Sequence, residues 1–212
     1  SATSRVVVCG DEAEAAADLI AASLAETCGV SVSRATVHWI SEGDVLLWLE
    51  GDAGSDLPLA AVAAGVPVGA AEAFAARRIA ALLPIIGPDI NSGHLAQEVD
   101  RDGRAISFAK GCYLGQETIA RVQSRGRVNR LLRGLAFEGE RLPEMGAVIR
   151  GEEDAEVGRV GSVAPSLAPG PWSANTAAAL AVIRREVAEA GTLVTVETPD
   201  GPLVARIVGP VA

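Results

Sequence analysis

Aromatic side chains are almost missing from this chain of 212 residues, in which Phe, Tyr and Trp together make up 3%. Large rings therefore cannot fill the interior. Packing has to rest on Val, Leu and Ile and on the close contacts that alanine permits, within an apolar fraction of 49%. Cysteine is scarce as well: three residues, an odd number without paired spacing, provide no disulfide framework and point to a reducing compartment. The two histidines, His38 and His94, stand far apart with no Cys or carboxylate at ligand spacing, so no metal site is expected. Positive charge is in deficit. A net charge of −9 argues against general affinity for nucleic acid or anionic membranes. Long apolar runs are lacking too, because the uncharged stretch 57–71 is interrupted by Pro58, Gly65, Pro67 and Gly69 and is too short to span a bilayer. The opening Ser1-Ala2-Thr3-Ser4-Arg5 leads into a Val run without a signal-peptide pattern. These absences describe a soluble cytoplasmic protein, long enough for one large or two small domains with proper cores.

What is present falls into two halves. Arg5–Cys9 reads as a strand, and Asp11–Cys28 as an Ala-rich amphipathic helix with Asp11 as N-cap. Val30–Ile40 and Val45–Leu49 read as strands joined by a Glu42-Gly43-Asp44 turn. Residues 51–69 read as loop or short strands, Ala70–Leu83 as a helix stopped by Pro84, and 85–109 mostly as loop with a short strand at Ala105–Phe108. After Gly126 the pattern changes. Leu131–Phe137, Ala147–Ile149, Glu156–Val163, Ala178–Ile183, Leu193–Glu197 and Leu203–Val208 alternate or run apolar at strand length. Turns such as Pro199-Asp200-Gly201 separate them, and the absence of a long helix suggests a small antiparallel barrel.

One octet stands out, Lys110-Gly111-Cys112-Tyr113-Leu114-Gly115-Gln116-Glu117. Gln116–Val122 holds no Pro or Gly, so a helix can begin near Gly115 and run to about Arg125. Cys112 then sits just ahead of a helix N-terminus, where unpaired N–H groups favour an anion, and Lys110 adds a positive charge. Both favour the thiolate, the nucleophilic form of cysteine. The bland alternative is a cysteine packed in a tight turn beside a solvated lysine. Cys9, in an apolar strand, and Cys28, at a helix end, read as structural.

The octet, continued as Thr118-Ile119-Ala120-Arg121, resembles the K-G-C-Y-x-G-Q-E signature of YgfZ-type folate-binding proteins. These are paralogues of the glycine-cleavage aminomethyltransferase, which lacks the octet. Arg78-Ile79 through Pro84, then Gly87 and Asp89, resembles the family's R-I-E-A-G-x-P…G-x-D, and Gln97-Glu98 stands where it has a Q-E. Gly134, Gly146, Val157–Ser162 and Ala178–Arg184 are similar to its C-terminal barrel motifs, so the likeness runs over roughly 70–212. The resemblance implies an α+β fold: part of a GcvT/YgfZ-like folate-binding domain over 1–128, then a C-terminal antiparallel β-barrel over 129–212. It implies tetrahydrofolate as ligand, Cys112 with Lys110 as the reactive pair, and a pocket lined by Tyr113, Gln116, Glu117, Glu98 and Arg121. Glu117 either lines the pocket or complements the helix N-terminus. The implied partners are iron–sulfur enzymes or their assembly proteins, including those that modify tRNA.

Two departures matter. The family's pterin-holding glutamate is Ala80 here, and its glycine is Leu82. A methyl group cannot accept the paired hydrogen bonds that a carboxylate can. The chain also begins well inside the family's fold, without the stretch where aminomethyltransferases carry their catalytic aspartate. Three functions follow: an accessory protein for iron–sulfur enzymes, a folate-dependent aminomethyltransferase-like enzyme, and a folate-free interaction or redox module. A single exposed cysteine cannot hold a cluster that takes four thiolates, so iron–sulfur chemistry belongs to a partner. Arg121, Arg125, Arg127, Arg130 and Arg133 crowd one stretch, as a salt-bridge network or as an anion site. No aromatics interleave them, which argues against direct RNA binding.

Overall fold

The computed structural model describes residues 3–29, 31–37, 40, 43–50, 56–165 and 176–210. Two compact units result, Ser1–Ala71 and Glu72–Ala212. In the first, strands β1 (Thr3–Val8), β2 (Val32–Val37) and β3 (Asp44–Glu50) form an antiparallel sheet in the order β1-β3-β2. The central strand β3 buries Val45, Leu46, Leu47 and Leu49. Helix α1 (Ala13–Cys28) contributes Ala13, Ala17, Ile20 and Leu24 to the same core, a spacing of four, three and four that puts all of them on one face.

Two readings in this unit are corrected. Asp11 is not the N-cap of α1. Glu12 holds that position without a side-chain bond, and the Ala13 N–H donates to the Gly10 carbonyl, so the turn's own backbone does the capping. The stretch 51–69 is not purely loop, since Leu57–Ala63 forms helix α2. Pro58 lies in its first turn, where a missing N–H costs nothing, and Gly65 at φ 69° closes it. Ala60 and Ala61 are small enough to join the core of the sheet unit. His38, Glu42 and the side chain of Cys28 lie outside the described residues.

The second unit is built on a closed barrel of six antiparallel strands, ordered β4-β7-β6-β5-β8-β9. They are β4 (Arg130–Glu138), β5 (Val148–Arg150), β6 (Glu156–Pro165), β7 (Thr176–Arg184), β8 (Leu193–Val196) and β9 (Leu203–Val208). Each corresponds to one segment expected from the sequence. Strand β7 shows why its sequence is continuously apolar rather than alternating. Ala177, Ala179, Ala181 and Ile183 join one core with Leu135, Phe137 and Ile149. The intervening Ala178 and Leu180 join a second core with Ala76, Ile79 and Leu82, residues contributed by helix α3 (Ala71–Ala80) and the turn after it. A strand covered on both faces needs apolar residues at every position. For the same reason α3 packs as part of the barrel unit, although the sequence reading grouped it with 1–128.

Between α3 and β4 the chain forms a 3-10 turn at Ala96–Val99, the single helical turn α4 (Asp102–Ala105) and helix α5 (Gln116–Arg125). The strand expected at Ala105–Phe108 is not formed. Ala105 instead donates its N–H to the Arg101 carbonyl as the last residue of α4. Helix α5 has the bounds that its composition suggests, with Gly115 at φ 86° in the N-cap position. Among the described residues no helix is long and apolar enough to cross a membrane.

Candidate functional site

Helix α3 ends in a backbone motif that glycine normally serves. The Leu83 N–H donates to the Arg78 carbonyl and the Leu82 N–H to the Ile79 carbonyl. This closure forces Leu82 to φ 52°, in the left-handed region. The position is the one at which the resemblance has glycine. Arg101 then reaches back, its Nη1 donating to the Ala81 and Leu82 carbonyls at 3.1 and 3.3 Å. Burial first, and the neighbouring Arg104 second, lower the Arg101 pKa from its ordinary value.

Asp89 ties this turn to the barrel. Its Oδ2 accepts from Arg78 Nη1 at 3.0 Å and from the Ile85 N–H at 2.9 Å, and its Oδ1 accepts from the Ser162 N–H at 2.7 Å. A Cβ at position 161 would lie 2.6 Å from that Oδ1, so only glycine lets the carboxylate come so close to β6. The motif residues Arg78, Asp89, Gly161 and Ser162 thus form one buried joint.

The Ala96–Val99 turn supplies two buried polar side chains. Gln97 donates through Nε2 to the Ile119 carbonyl of α5 at 3.0 Å, while its Oε1 is buried without a partner. Glu98 accepts from the Leu95 N–H and, through both oxygens, from Arg130 Nε and Nη2 at 3.1 and 3.2 Å. Arg133 is held similarly, by Asp100 Oδ2 at 2.6 Å and the Ala188 carbonyl at 2.8 Å. These two arginines of the crowded stretch are therefore structural ties. Arg121 and Arg127 are exposed and have no ion-pair partner among the described residues, and the Arg125 side chain lies outside those residues.

The octet loop lies ahead of α5. Cys112 is exposed between Gly111 and Tyr113, while Cys9 is half-buried. Lys110 Nζ sits 4.4 Å from the centroid of the Tyr113 ring, a cation–π contact that holds the lysine near the loop. The Tyr113 N–H donates to Gln116 Oε1 at 3.3 Å, and the Gln116 N–H to the Tyr113 carbonyl at 3.2 Å. Local contacts thereby link Lys110, Tyr113 and Gln116 to one another in the loop that carries Cys112. Glu117 and Arg121 project from the exposed side of α5, and Glu98 is engaged with Arg130 instead. The Q-E pair marked Gln97 in the sequence, but sequence reasoning missed that its Oε1 is buried without a partner. It also missed the Arg184-Arg185 doublet at the end of β7.

The residues present do not fit tetrahydrofolate in the way the resemblance implies. Ala80, half-buried, packs its methyl group against the second core. The buried carboxylates that follow it, Asp89 and Glu98, each have both oxygens committed. Gln97 Oε1 is a buried acceptor still without a donor among the described residues.

Comparison with known proteins agrees with this architecture. No family model matches the chain. A tRNA-modifying protein YgfZ from Yersinia enterocolitica is 37% identical over 86 residues, covering 40% of this chain and 26% of that protein. YgfZ from Escherichia coli is 56% identical over 41 residues, covering 19% of this chain and 13% of that protein. The glycine cleavage system aminomethyltransferase T from Bartonella henselae superposes with a TM-score of 0.62 at 17% identity, over 84% of this chain and 48% of that one. Over part of its length the chain is similar in sequence to YgfZ proteins, and its fold is that of the aminomethyltransferase. The chain has the α+β architecture and closed antiparallel barrel that the resemblance implied. It spans about a quarter of the length of the Yersinia relative and about half that of the aminomethyltransferase.

Proposed function

We propose that this chain is an accessory protein of the YgfZ type, acting in the cytoplasm on iron–sulfur enzymes, including those that modify tRNA, through the thiol of Cys112. The observation that carries the reading is the exposed Cys112, set between Gly111 and the Lys110-contacted Tyr113 ahead of α5. A thiol so placed can form a mixed disulfide with a partner, meet an electrophile, or transiently hold a sulfur or iron species. The likeness to tRNA-modifying YgfZ proteins supports the same reading. In a strain lacking this protein, the native chain should restore iron–sulfur enzyme activity and tRNA modification. A Cys112→Ala variant should fold normally and fail to restore either. Full complementation by that variant would reduce the octet to a structural turn. Iodoacetamide should label Cys112 faster than Cys9 in the folded protein, because Cys112 is exposed and Cys9 is half-buried.

A second reading, a folate-free interaction or redox module, is favoured by Ala80, whose methyl group packs into a core where the resemblance has a pterin-holding glutamate. Tetrahydrofolate titration of the native chain separates the two. The aminomethyltransferase-like alternative has weaker support, since the octet is foreign to those enzymes, and glycine-cleavage turnover tests it.

A further inference from the structure

Strands β4 and β7 pair in a register that sets Arg130 directly opposite Arg184. Like charges facing each other across a ladder destabilise it unless something compensates. Arg185 opens a 3-10 turn directly after the strand, and its N–H donates to the Asn129 carbonyl at 2.8 Å, which fixes the barrel end at this point. Together with Arg127 these arginines line a cleft of about 740 Å³. Two carboxylates share it. Glu98, buried, grips Arg130 through both oxygens, and Glu186 lies 3.5 Å from Arg184. Arg127 and Arg185 are exposed and, among the described residues, have no carboxylate partner. In a chain of net charge −9, four arginines against two glutamates leave this cleft with an excess of two positive charges.

We infer that this cleft binds a small, multiply charged oxyanion, a diphosphate or an oligocarboxylate, with Arg127 and Arg185 as its free donors. Guanidinium groups offer forked donors matched to phosphate and carboxylate oxygens. Arg130 is already oriented by a buried carboxylate, so part of the ordering cost of binding is met before the ligand arrives. The volume falls in the range of small-molecule sites. Val128 and Asn129 are the uncharged lining residues, and neither offers a ring on which a base could stack, which favours a compact anion over single-stranded nucleic acid. The assignment is independent of Cys112 and of the accessory role.

Calorimetric titration of the full chain at low ionic strength with pyrophosphate, and separately with a triglutamate peptide, tests it. Saturable binding of at least one is expected, and the tighter of the two identifies the anion as phosphate or carboxylate. Arg127→Ala and Arg185→Ala should each weaken it by about tenfold or more, as loss of a charge-assisted hydrogen bond does. Added salt should weaken it as well. Arg159→Ala, on the barrel and paired with Glu156, should leave it unchanged. Both probes failing to bind, affinity indifferent to Arg127 and Arg185 in variants with native circular dichroism, or saturable binding of a short RNA alone, would each overturn the assignment.

Discussion

Arg78 and Asp89 form an ion pair at 3.0 Å in which the side chains are 6% and 0% exposed. Asp89 also accepts backbone N–H groups from Ile85 and Ser162, so its lone pairs are shared between the turn after α3 and strand β6. A buried carboxylate removed from such a setting leaves an uncompensated guanidinium and orphaned donors. Asp89→Ala should therefore destabilise the barrel unit by about 3–5 kcal/mol, read from urea unfolding. An Arg78→Met, Asp89→Leu double variant should lose less than the sum of the single changes, because no lone charge remains buried.

Leu82 offers a second test. Its φ of 52° opposes its side chain, while its burial at 8% exposed rewards it. Leu82→Ala forfeits packing and keeps the strain. Leu82→Gly forfeits the same packing and relieves it. The glycine variant should thus be the more stable of the two by about 1 kcal/mol, reversing the usual order within helices.

Asp102 gives a pH dependence with a definite sign. Burial first, and Asp100 second, raise its carboxyl pKa above the ordinary 3.8. The folded protein then holds this proton more tightly than the unfolded chain. The resulting stabilisation is fully present below the unfolded value and is lost as pH rises through the folded value. At neutral pH the charged Asp102, with Oδ1 buried and unpartnered, opposes folding. Asp102→Asn should raise the urea midpoint at pH 7, and this advantage should fade on acidification toward 3.8.

On the proposed reading, tetrahydrofolate binds the native chain weakly because position 80 carries no carboxylate. Ala80→Glu should tighten binding by about tenfold or more, the worth of a charge-assisted hydrogen bond. Isothermal calorimetry measures it directly. An unchanged affinity would mean that residue 80 does not face the pterin.

Much of this was legible in the chain itself. Barrel strands announced themselves because half of their residues face a single interior and the turns between them carry Gly, Pro or Asp. Helix α5 was readable from the absence of breakers after Gly115, and the loop ahead of it from its two glycines. These are local properties, fixed by backbone sterics and hydrophobic period. Helix α2 is hard to read because Pro58, a breaker inside helices, occupies its first turn, and the capping of α1 is hidden because a backbone carbonyl replaces a side chain. Tertiary structure alone decided the rest. Glu98 could be named as a site residue, but only the fold brings it to Arg130, thirty-two positions along the chain. The pairing of Arg78 with Asp89, the need for Gly161 beside it, and the opposition of Arg130 to Arg184 depend on strand register and on segments meeting across the barrel. A sequence specifies its local conformations residue by residue. Which distant charges meet, and which are left without partners, is settled only when long-range burial draws the segments together.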